Sequence, residues 1–77
     1  MKPGDYVICV KDYSYTFHNG GRYTVVKAIM EDEYAASHNY PVSTSVVTMK
    51  KSDFLEYFVE EKMYQKYGLN AKTLNNL

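Results

Sequence analysis

Apolar positions along the chain come in three short bursts and then change rhythm. Residues 6–10, YVICV, form a continuous run of β-branched and aromatic side chains between Pro3-Gly4-Asp5 and Lys11-Asp12. Such a run between turn formers predicts a buried strand. Residues 11–21, KDYSYTFHNGG, lose all periodicity and read as a polar, tyrosine-bearing loop. Residues 22–30, RYTVVKAIM, predict a second strand with Tyr23 and Val25 on one face and Thr24 and Val26 on the other. Glu31, Asp32 and Glu33 interrupt that pattern as a solvated turn, and residues 34–41 read as a second irregular stretch. Pro41 cannot donate to a ladder, so the third strand is expected only after it, over residues 42–49, VSTSVVTM.

Beyond residue 52 the period lengthens. Leu55, Phe58, Val59, Met63 and Tyr67 recur at three- and four-residue spacing, which predicts an amphipathic helix over residues 53–67 with its stripe packed on the sheet. Asp53 and Glu56 have the spacing of a capping box, and Asp53 places negative charge in the first turn. Lys62 and Lys66 lie toward the other end, and Gly68 is a natural terminator. Residues 68–77, polar with two leucines before the terminal one, read as a loose tail.

The stretch HNGGRYTVV, residues 18–26, poses a choice between a phosphate-holding glycine loop and a tight corner. A phosphate loop runs from a strand into a helix N-terminus and carries a Lys-Ser/Thr pair. Here the glycines lead into a strand former and no such pair follows. Asn19 and Gly20 tolerate positive φ, which a tight turn needs. The stretch is therefore read as a corner.

Gly4-Asp5 ahead of an apolar strand, with Gly21, Tyr23 and Val25 opening the second, resembles small SH3-like β-barrel proteins, many encoded by bacteriophages. The resemblance covers about the first 55 residues, closing at Asp53-Phe54. It implies an α+β, mostly β fold: a small antiparallel barrel over residues 1–52 followed by the helix. It also implies a phage accessory protein that binds and modulates a host protein in the host cytoplasm.

Composition narrows the chemistry. Seventy-seven residues are expected to form one domain with a small core. Nine basic and nine acidic residues cancel, which disfavours a counterion-displacing nucleic-acid binder. Cys9, the only cysteine, excludes an internal disulfide, and its setting between Ile8 and Val10 predicts an inert, buried thiol in a cytoplasmic protein. No apolar stretch approaches the roughly 20 residues of a membrane helix, and MKPGDY is too polar for a secretory signal. His18 and His38 lack metal-ligand spacing, and the acidic triplet lacks the alternation of a calcium loop. No cofactor, metal or catalytic group is expected, so the chain reads as a non-enzymatic binding module.

Nine tyrosines without a tryptophan make up the remaining signal. Tyr13, Tyr15, Tyr34 and Tyr40 fall in the two irregular stretches, where with Phe17 and Arg22 they are the candidate partner-binding residues. Equally, a small barrel lacking tryptophan can cap its open ends with them. Tyr57 and Tyr64, seven apart on the expected helix, would share one side able to engage a host protein or form a homodimer. An alternative is weak binding of single-stranded nucleic acid or a nucleotide, with tyrosines stacking on bases and Lys11, Arg22, Lys27, Lys50 or Lys51 on phosphates.

Overall fold

A computed structural model describes residues 1–38 and 45–75. Its centre is a five-stranded antiparallel sheet in the order β4-β3-β2-β1-β5, curled into a half-barrel. The strands are β1 (Tyr6–Cys9), β2 (Arg22–Val26), β3 (Glu33–Ser37), β4 (Val46–Lys50) and β5 (Phe58–Glu60). Helix α1 (Lys51–Tyr57) joins β4 to β5, and α2 (Glu61–Tyr67), a 3-10 turn (Gly68–Asn70) and α3 (Ala71–Asn75) follow.

Alternation along the strands separates inside from outside. Val7 and Cys9 of β1, Tyr23 and Val25 of β2, Ala36 of β3, Val47 of β4 and Phe58 of β5 all enter one core with Phe17 and Phe54. The expected facing of Tyr23 and Val25 therefore holds. Four aromatics supply most of the volume. Phe54 stacks on Phe58 with ring centroids 4.5 Å apart, and Phe17 and Tyr23 each meet Phe58 edge-on at 6.0 Å. Edge and offset contacts suit the ring quadrupole and add to the area that aromatics bury.

Residues 18–21 form a corner, with the Gly21 N–H bonded to the His18 carbonyl at 2.9 Å. The two glycines act for different reasons. Gly20 takes φ +93°, a region that side chains disfavour, whereas Asn19 stays at negative φ. At Gly21 a Cβ would lie 2.6 Å from the Tyr23 hydroxyl, so the need there is space. The Gly20 N–H bonds back to the Cys9 carbonyl at 2.7 Å, and these amides serve the chain itself.

Three expectations change. The segment read as an acidic turn and an irregular stretch contains β3, which sits between β2 and β4. Ala35, Ala36 and Ser37 are weak strand formers, but a central strand flanked on both sides selects small, enclosed side chains over intrinsic preference. The strand expected over residues 22–30 ends at Val26, and the one expected over 42–49 occupies Val46–Lys50. Residues 39–44 lie outside the described set.

The third change is the larger one: the helix expected over residues 53–67 is two helices with β5 between them. Phe58 caps α1 through its N–H to the Phe54 carbonyl, at φ −133° and ψ 141°. It then pairs with Cys9, while Val59 pairs with Ile8. Consecutive residues in a strand face opposite ways, so Phe58 enters the core and Val59 is buried on the other face, toward α2 and α3. A helix would place them only about 100° apart. Their three- and four-residue spacing fits both readings, and the open edge of β1 decides between them. The proposed capping box is also absent: α1 starts at Lys51 with no side-chain cap, and Glu56 instead pairs with Lys72 at 3.5 Å. Gly68 does close α2, at φ 60°. The segment read as a loose tail carries the 3-10 turn and α3, whose Ala71 is fully buried.

Candidate functional site

The loop from Val10 to Gly21 is tied down from within. Tyr13 and Phe17 exchange backbone hydrogen bonds of 2.8 and 3.2 Å, forming an isolated β-bridge that makes Tyr15 the tip of a small hairpin. Ser14 reaches the tip through φ 61°, the only described non-glycine residue at positive φ. The Asn19 N–H donates to Asp12 Oδ1 at 2.7 Å. The Tyr23 hydroxyl accepts from the His18 N–H at 2.8 Å and donates to the Thr16 carbonyl at 3.3 Å. A loop bonded this way loses little entropy when something docks on it.

Tyr15 stands 96% exposed at that tip. At the base of the hairpin, Tyr13 and Tyr57 meet edge-on, with ring centroids 5.1 Å apart, and Lys11 Nζ lies 5.1 Å from the Tyr57 ring. The pairing of β1 with β5 makes this meeting possible, because the Val10 N–H bonds to the Tyr57 carbonyl at 2.7 Å. Tyr13 and Tyr57 are each half-buried against the core and present only part of their rings. An open groove runs from the hairpin to β4, lined by Tyr13, Ser14, Thr16, Phe17, Ser45, Val46, Val47 and Thr48.

The other candidates lie elsewhere. Phe17 is 3% exposed and part of the core, so its role is to hold the loop down. Arg22 is on the outer face, where its guanidinium pairs with Glu61 and lies 3.6 Å from the Tyr6 ring centroid. The hydrogen bond to Glu61 is the main cause of an Arg22 pKa raised above its ordinary value. An exposed ion pair of this kind contributes little stability. Tyr34 belongs to β3, its ring 5.4 Å from Phe54 with Lys51 Nζ 5.1 Å from its centroid. Tyr40 lies outside the described residues. Tyr57 and Tyr64 fall on separate helices with β5 between them, so the shared helical side expected of them does not exist.

The buried Cys9 thiol donates to the Lys11 carbonyl at 3.0 Å, and desolvation pushes its pKa up, as an inert structural thiol requires. Among the described residues no three His, Cys, Asp or Glu side chains converge as metal ligands. No described helix is long and apolar enough to cross a membrane. Sequence reasoning passed over Val46, 50% exposed on β4, because a β-branched residue in a strand looks like core. It also passed over Ile29 and Met30, which are exposed beyond the end of β2 instead of packed within it. Comparison with protein-family models, curated proteins and solved structures returned no match.

Proposed function

We propose that this chain is a non-enzymatic binding module with an SH3-like barrel, a phage accessory protein that engages a host protein through its tyrosine-bearing loop. The SH3-like reading is supported by the strand order β4-β3-β2-β1-β5 and by a short helix between β4 and β5. The observation that carries the binding reading is the small hairpin: Tyr15 fully presented at its tip, with the Tyr13–Tyr57 pair and Lys11 at its base. Tyrosine brings contact area and one polar handle at low rotamer cost, and a pre-bonded loop keeps that cost low. Binding alone would then modulate the host protein, by occlusion or by bridging, with no covalent step.

Tyr15→Ser isolates the claim, because an almost fully exposed side chain contributes little to the fold. In affinity capture from host lysate, the proteins retained by the wild type are expected to be lost from the variant, with affinity reduced about tenfold or more. Equal recovery by both would reject the loop as the partner site. Fluorescence anisotropy with a single-stranded thymidine oligonucleotide tests the nucleic-acid alternative. No salt-sensitive binding is expected, whereas phosphate contacts would give affinity that falls steeply as salt rises.

A further inference from the structure

The edge of the sheet at β4 offers more than its side chains. Backbone bonds from the His38 N–H to the Ser45 carbonyl and from the Lys51 N–H to the Asp32 carbonyl, both 3.0 Å, fix which residues face β3. In an antiparallel ladder the inward residues alternate, so Val47 and Met49 bond to β3, and Ser45 and Lys51 to the residues flanking it. The N–H and C=O groups of Val46 and Thr48 therefore point away from the sheet. Among the described residues, no backbone group bonds to them. β5, the opposite edge, spans three residues and has α2 and α3 packed on it. Folded proteins usually blunt a free edge with lysine, proline or a bulge. β4 carries only Lys50, at its end, and among the described residues nothing guards Val46 to Thr48.

We infer that β4 receives an extended, uncharged peptide segment of a partner protein, which adds a sixth strand through the backbone of Val46 and Thr48. The groove at this edge sets the chemistry of its occupant. Among the described residues none of its lining side chains is charged, and Tyr13, Ser14, Thr16, Ser45 and Thr48 supply hydroxyls, which match a neutral segment. On the far wall Tyr13 and Phe17 already bond to each other, so β4 is the side that can still pair. A second copy of this chain fits less well. Antiparallel pairing of β4 with its own copy about Thr48 would set the Lys50 ammonium opposite Val46. A five-residue strand also buries far less than the roughly 1,200 Å² of a stable interface. This surface is distinct from the Tyr15 tip, although Tyr13 borders both.

The test is a random-peptide display library panned against the whole chain, with the selected peptides then titrated by anisotropy. Thr48→Pro removes one outward N–H, and proline is tolerated where an edge N–H faces solvent. Selected peptides are expected to bind the variant about tenfold more weakly or worse. They are also expected to slow amide exchange at Val46 and Thr48 of the wild type, a readout that decides the matter even if the variant misfolds. Tyr15→Ser should leave peptide binding intact. The inference is overturned if no peptide is selected, if selected peptides bind without protecting those amides, or if protection appears with protein concentration alone, which would mark a second copy. Loss of peptide binding in Tyr15→Ser but not in Thr48→Pro would also reject the edge and leave the loop reading standing.

Discussion

Phe58→Ala is expected to remove about 3–5 kcal/mol of folding stability, the range for truncating a buried phenylalanine. Phe58 is fully buried and touches three other core aromatics, so its loss opens a void that Phe54, Phe17 and Tyr23 cannot fill together. A 77-residue domain has roughly 4–12 kcal/mol in total. That loss is a large share of the total, so the urea midpoint of the variant should shift far down. A loss under about 1 kcal/mol would place Phe58 outside the core and remove the reason for β5.

Proline scanning along β4 should give opposite results at adjacent positions. At Val47 the N–H faces β3, and proline would leave the buried Ala36 carbonyl without its partner and disturb a core side chain. The expected loss is about 2–4 kcal/mol. At Thr48 the N–H faces outward and the side chain is exposed, so proline is expected to cost less than about 1 kcal/mol. Circular dichroism with urea titration separates the two. Equal losses would contradict the assigned register. If the order reversed, Val46 and Thr48 would be the residues bonded to β3, and the free edge would vanish.

What the sequence revealed and concealed has physical reasons. β1, the start of β2 and the glycine corner were legible because their causes are local: β-branched runs, turn residues and the conformational freedom of Gly20. β3 was not, because Ala35, Ala36 and Ser37 carry no strand preference of their own and are enclosed by neighbours far along the chain. The helical stripe misled for a related reason. Phe58 and Val59 satisfy a helical period, but pairing with β1 buries both faces, and no local rule records that β1 has an edge to fill. Tyr13 and Tyr15 were picked out from composition and loop placement alone, and the structure puts both on the small hairpin. Tyr57 was picked out for a helical side that does not exist, and its contact with Tyr13 depends on the long-range pairing of Val10 with Tyr57. Arg22 and Phe17 were drawn into the candidate site by proximity in sequence, which a strand's alternation and the core then undid.

The whole arrangement, including the aromatic surface beside Tyr15, depends on β5 joining β1. Cys9 and Phe58 form a non-hydrogen-bonded pair there, because the neighbouring Val10 N–H bonds to the Tyr57 carbonyl. Such pairs bring the two Cα atoms to about 4.5 Å and their Hα atoms closer still. A nuclear Overhauser spectrum of the chain should therefore show a strong Hα–Hα cross-peak between Cys9 and Phe58. Unbroken sequential amide–amide cross-peaks from Phe54 through Met63, with that cross-strand peak missing, would instead restore one continuous helix and contradict the account.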